Sequence, residues 1–158
     1  MLGFVLAVLM TASDDFEHRS KTFFEIGVWP AVQLFDENTD VYGLRLSLGL
    51  LFSHSVTGLD VGLVGSAESM TGVQLNLVNL AFALWSRTVV TGLQAGLLNA
   101  TRVLRGMQVG LYNETGSGFG VQVGIVNTAE DFDGVQIGLL NFNTRSALPF
   151  FPFVNARF

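Results

Sequence analysis

The chain has no cysteine among its 158 residues, which excludes disulfides, thiolate nucleophiles and cysteine-based metal sites and leaves the redox compartment open. Charge is scarce too: 8 Lys and Arg stand against 13 Asp and Glu, a formal net charge of -5, and only 13% of residues are charged. No Lys/Arg run exists to track a phosphate backbone, so nucleic acid is not expected as a partner. The 2 histidines are His18 and His54. His54 lies in Phe52-Ser-His-Ser55, read as a turn, with no identifiable carboxylate to orient it against Ser53 or Ser55. No convergent polar cluster is read elsewhere, and the chain is expected not to be an enzyme and to need no cofactor. Asp36-Glu-Asn-Thr-Asp40 opens like a calcium loop but has Val41 where the loop needs Gly and Ser47 where it needs a bidentate Glu. No apolar run reaches the ~20 residues of a transmembrane helix, because Gly, Gln and Asn interrupt every later stretch.

What the chain has is apolar residues and glycine, 49% hydrophobic with 18 Gly, an unusual mix for a surface that meets only water. The length suits one domain able to bury a core without crosslinks. Met1–Met10 is an apolar run followed by the small residues Thr11-Ala12-Ser13 and then by polar sequence, the order of a signal peptide without its usual basic start. Residues 1–13 are read as that signal peptide, 14–22 as a polar leader, and 23–158 as one repeat-built β domain ending in a Pro/Phe-rich coil at 148–158. The chain is thus expected to be exported, to the cell envelope or surface.

Repeats dominate the rest. Gly58-Leu-Asp-Val-Gly-Leu-Val-Gly65 is followed by Gly72-Val-Gln-Leu-Asn-Leu-Val-Asn79, Gly92-Leu-Gln-Ala-Gly-Leu-Leu-Asn99, Gly106-Met-Gln-Val-Gly-Leu-Tyr-Asn113, Gly120-Val-Gln-Val-Gly-Ile-Val-Asn127 and Gly134-Val-Gln-Ile-Gly-Leu-Leu-Asn141, the leading glycines stepping by 14, 20, 14, 14 and 14. A divergent copy starts at Gly43, and placing Asn155 14 residues after Asn141 aligns Pro149–Asn155 as a last one. Alternation within each copy predicts strands, with links such as Ser66–Ser69, Glu114–Ser117 and Thr128–Asp131 as turns.

Two all-β architectures fit a unit of this length: a β-solenoid of about seven to eight 14-residue coils with parallel stacked strands, or a small up-and-down outer-membrane β-barrel that would anchor or form a pore. The solenoid is preferred. Identical amides recurring in register can hydrogen-bond up a stack, Pro149 and Pro152 suit an edge, and the expansion over Leu80–Val90 enlarges one coil without disturbing the next motif. The barrel is favoured by the apolar composition and the terminal Phe158 but leaves little in its lumen.

Two columns stand out. Asn79, Asn99, Asn113, Asn127, Asn141 and Asn155 are predicted to form an inward structural ladder, which makes the glycosylation-like Asn99-Ala-Thr101 and Asn113-Glu-Thr115 chance matches. Gln74, Gln94, Gln108, Gln122 and Gln136 are read first as a stacked structural row, and as a flat outward ladder they are the candidate contact face for a glycan or protein partner. A stripe of Val64, Val78, Leu98, Tyr112, Val126 and Leu140, with Leu80, Phe82, Leu84 and Trp85, is a second contact surface, for membrane or self-association. Glu68, Glu114, Glu130 and Asp131 are weighed as an acidic stripe if turns stack, and Gly116-Ser-Gly-Phe-Gly120 as a flexible turn.

The tandem G-[VL]-Q-[VIL]-G-[LI]-x-N units, Val41–Leu50, Trp29–Leu34 and the ending Leu148–Phe158 together resemble a bacterial surface-repeat family best known from Leptospira and its relatives, over about residues 24–158. The resemblance implies export and display at the cell surface. It implies no activity, and without a lipobox cysteine it implies no lipid anchor here. A non-enzymatic envelope protein with a structural or interaction role is the function expected.

Overall fold

The computed structural model describes residues 20–29, 32–34, 39–80 and 88–158. The signal peptide at 1–13, His18 with most of the polar leader, residues 36–38 of the calcium-like segment, and Phe82, Leu84 and Trp85 lie outside the described residues. The elements are β1 (Lys21–Trp29), β2 (Val32–Gln33), β3 (Asp40–Leu80), β4 (Val89–Ala95), β5 (Leu98–Val109), β6 (Tyr112–Val123), β7 (Val126–Asn143) and β8 (Phe150–Arg157). All belong to one sheet in the order β2-β1-β3-β4-β5-β6-β7-β8.

From β1 to β7 the neighbours run parallel, apart from the short β2 at the edge, and equal motif positions face each other. Gly92, Gly106, Gly120 and Gly134 are paired in turn, as are the glutamines two residues on. This is a β-solenoid. The barrel alternative needs antiparallel neighbours throughout and a closed ring, whereas this sheet is parallel except at its two edge strands and is open. β3 is one extended run that passes through the stack three times, with Gly43, Gly58 and Gly72 lying over one another. The register holds across the long step between Gly72 and Gly92: Gly72 pairs with Gly92 and Asn79 with Asn99.

Each coil has two extended sides, not one strand and a turn. In the coil that starts at Gly120, Gln122 points inward and Val121, Val123 and Ile125 outward. The backbone bends at Gly124-Ile125, and the inward parity shifts, so Asn127 and Ala129 are also buried. A second shift at Glu130-Asp131 brings Phe132 inside. The segments read as turns, Ser66–Ser69, Glu114–Ser117 and Thr128–Asp131, are therefore the second side of the coil, and Gly116–Gly120 lies inside β6. Two glycine positions make this path possible. Gly120 has φ of 137°, and a side chain there would also meet the Gly106 carbonyl in the coil beneath. At the corner, a side chain on Gly124 would occupy the space of the Asn113 amide.

The buried apolar core is a thin column of Val41, Val56, Met70, Val90, Leu104 and Phe132, with Ala129 beside it. Its bulkiest member, Phe132, pairs with Gly118, the coil position that offers no side chain. Among the described residues the other buried side chains are polar.

The last copy does not continue the stack. β8 runs antiparallel to β7, with Asn155 opposite Gln136 and Val154 opposite Ile137. Asn155 is buried but donates to the Leu148 carbonyl at 3.2 Å, so the asparagine ladder ends at Asn141 and not at Asn155. The reversal puts the proline-containing strand at the edge of the sheet, where a missing N–H costs least.

Candidate functional site

The glutamines are not an outward face. Gln74, Gln94, Gln108, Gln122 and Gln136 are at most 2% exposed, because the residue two after the leading glycine points into the coil while its neighbours on either side point out. Their amides form one continuous ladder. Gln94 donates to Gln74 at 2.9 Å, Gln108 to Gln94 at 2.7 Å, Gln122 to Gln108 at 2.8 Å and Gln136 to Gln122 at 2.7 Å, each from Nε2 to Oε1. The second N–H reaches across the coil to a backbone carbonyl, Gln108 to Glu114 and Gln136 to Phe142, which fixes which end of each amide is the nitrogen.

Asn79, Asn99, Asn113, Asn127 and Asn141 are all fully buried. The Nδ2 of Asn79, Asn99, Asn113 and Asn127 donates to the Oδ1 of the next coil's asparagine at 2.7 to 2.8 Å, Asn99, Asn113 and Asn127 also donate to the carbonyls of Val109, Val123 and Ile137, and Asn141 at the end of the run donates to the carbonyls of Gly138 and Phe151. This ladder donates toward higher coils and the glutamine ladder toward lower ones, so their dipoles run in opposite senses. With both amide hydrogens used inside, Asn99 and Asn113 present nothing to a glycosylating enzyme.

At its low-numbered end the glutamine column becomes ionic. Glu25, Arg45 and Asp60 occupy the same repeat position as the glutamines and are fully buried. Arg45 makes a two-point contact with Asp60, Nε to Oδ1 at 3.0 Å and Nη2 to Oδ2 at 2.7 Å. Its Nη1 donates to Ser53 Oγ at 3.0 Å and to the Ser66 carbonyl at 2.8 Å. Asp60 also accepts from Ser47, Gln74 and Asn76 at 2.7 to 2.9 Å. Burial pushes the Asp60 carboxyl up, but the Arg45 charge and these donors outweigh it and hold the group below the usual carboxylate range. Among the described residues Glu25 receives one hydrogen bond, from Ser53 at 2.9 Å, and its Oε1 has no partner. Burial dominates there and raises its pKa, against the Ser53 bond and the Arg45 charge. This cluster is absent from the motif reading above, although its signal is in the repeat: Arg45 and Asp60 stand two residues after Gly43 and Gly58, where later copies have Gln.

His54 has the carboxylate partner not identifiable from sequence, Glu68, with Nδ1 3.0 Å from Oε2. The hydroxyl of neighbouring Ser53 is turned inward to Glu25 and Arg45 and is not presented to that imidazole. The acidic stripe does not form. Glu114 faces Ala100 and Thr128, Asp131 faces Ser117 and binds Arg145 and Arg157, and among the described residues no three His, Asp or Glu come together.

What faces outward is apolar. The fifth residue after each leading glycine gives the column Leu48, Leu63, Leu77, Leu97, Leu111, Ile125 and Leu139, each between 47% and 57% exposed. Beside it run the third position, with Ile26, Leu75 and Ile137 exposed, and the first, with Phe24, Leu59 and Met107. None of these three columns holds a charged residue among the described copies. Val154, opposite Ile137, and its neighbour Phe153 carry the face onto β8, and a shallow apolar trough runs along it past Leu97, Leu111, Ile125 and Leu139. The stripe read at Val64, Val78, Leu98, Tyr112, Val126 and Leu140 lies just round the corner and is only partly exposed, with Leu98 and Leu140 its most open members. Compared with protein-family models, curated proteins and solved structures, the chain matches none.

Proposed function

We propose that the protein is a non-enzymatic, exported component of the cell envelope that works as a scaffold, presenting one flat apolar sheet face to a partner. The observation that carries the reading is the three-column face described above, which runs the length of the stack without a charge. Contiguous exposed apolar patches of more than a few hundred Å² on monomers mark contact surfaces, and a face built from stacked identical positions is rigid before anything binds. Export and surface display rest on the apolar N-terminal run and on the resemblance to the Leptospira-type surface repeat proteins. A glycan partner rested on an outward glutamine face and loses its basis, and the pore-forming alternative loses its own with the open parallel sheet.

Two measurements test the proposal. Fractionation of cells expressing the full chain, with protease applied from outside, is expected to place it in the envelope and digest it; a protected cytoplasmic pool would overturn export. An environment-sensitive hydrophobic dye is expected to bind the protein at dilutions where the chain is monomeric and the face uncovered, and that binding is expected to be lost when Leu111 and Ile125 are both changed to Lys. Dye binding unchanged by that pair would mean the face is not the contact surface.

A further inference from the structure

We infer that the apolar face is covered by the same face of a second copy of this chain, the two sheets packing face to face about a two-fold axis. The inference rests on the contact-face reading and names its occupant. Area is the first argument. Nine strand passes, from β1 through the three passes of β3 to β8, lie side by side. At ~4.8 Å between strands and ~3.3 Å per residue they make a face of about 40 Å by about 15 Å, on the order of 600 Å² per copy. A pair would cover on the order of 1,200 Å² in all, at the size where specific interfaces begin.

Shape is the second argument. Leu97, Leu111, Ile125 and Leu139 repeat at the strand spacing along a flat sheet, and the surface whose ridges match that spacing is another such sheet, packed ~10 Å away with side chains interleaved. Charge is the third. Because the face carries none, two identical copies meet without like charges across the contact. A lipid surface fits less well: interfacial proteins ring their apolar face with Lys and Arg, while this chain has a net charge of -5 and sets Glu68, Glu114 and Glu130 among its exposed side chains.

Centred on the face and lying along its middle pass, the two-fold axis runs over β4, the fifth of the nine passes, and sets Leu97, which follows β4 at the corner, beside the partner's Leu97. Light scattering on the full chain eluting from a sizing column is expected to give twice the 17.1 kDa chain mass. Leu97→Glu and Leu97→Lys, each at a half-exposed site and each checked for an unchanged circular dichroism spectrum, are expected to elute as monomers. Their equimolar mixture is expected to pair again. Should Leu97→Glu not fold, Leu111→Glu, one coil on, takes its place. A dimer that survives the charged variants, or variants that do not pair when mixed, would overturn the inference. A monomeric wild type that floats with phosphatidylcholine vesicles would overturn it and leave the contact-face reading standing. A monomer that binds neither vesicles nor dye would remove both.

Discussion

At the scale of single residues, the interior of this protein is held by hydrogen bonds where most small domains use apolar packing. A buried amide without a partner costs about 1 to 3 kcal/mol, so an amide column is tolerable only if each member satisfies the next, as the glutamines and asparagines do. The two ends of the glutamine column show what happens where the run stops. Gln136 Oε1 has no partner, while at the other end Gln74 donates into Asp60. Asp60→Asn is expected to cost about 3 to 5 kcal/mol in urea unfolding, because it leaves the Arg45 charge buried and unpaired. The pH dependence has two signs. Asp60, lowered in the fold, contributes stability above its unfolded value of about 3.9 that is lost as pH falls through its folded value. Glu25, raised in the fold, contributes stability below about 4.3 that is lost as pH rises through its folded value. Glu25→Gln puts the amide of later coils at this position and is expected to abolish the second dependence. At neutral pH it is expected to stabilise the protein by about 1.4 kcal/mol for each unit by which the wild-type pKa is raised; denaturation midpoints of both proteins from pH 3 to pH 8 would check this.

At the scale of elements, the repeat was enough to prefer the parallel stack and its register over a barrel, because identical amides recurring every 14 residues can hydrogen-bond up stacked parallel coils and gain nothing in an antiparallel ring. It was not enough to read which side of the strand faces in. Alternation assigns Gln122 and Asn127, five residues apart, to opposite faces, and only the bend at Gly124-Ile125 lets both point inward. That bend follows from backbone closure of the coil, which no single copy of the motif displays. The same limit explains β8. Spacing aligned Asn155 with Asn141, yet after Asn143 the chain reverses, and Phe150 stacks on Phe142 with ring centroids 5.0 Å apart. Turned back on β7, β8 covers the edge that a further parallel coil would extend, and an uncovered flat edge is a template for pairing with other chains. Removal of residues 149–158 is therefore expected to convert the protein from a defined species to growing assemblies, followed by light scattering and thioflavin fluorescence. A truncated protein that stays at the size of the intact one would show that β8 has no such role.

At the scale of the whole molecule, nearest-neighbour coils supply the contacts, so the stack is quasi-one-dimensional and its length is not set by its chemistry. One complete coil is then removable. Deleting Gly92–Arg105 joins Thr91 to Gly106, keeps the register, brings Gln108 onto Gln74 and Asn113 onto Asn79, and leaves Phe132 on Gly118, the ionic end and the β8 cap untouched. The shortened protein is expected to keep its β circular dichroism and cooperative unfolding, with a urea m-value reduced roughly in proportion to the surface lost. Deleting Asn113–Phe119 instead puts Gly106 and Gly120 seven residues apart, too few to travel round a coil, and breaks both amide ladders at once. That variant is expected to be unfolded or aggregated under the same conditions. If the two deletions behave alike, stability is not passed from coil to coil through the ladders, and some contact spanning the stack must hold it together.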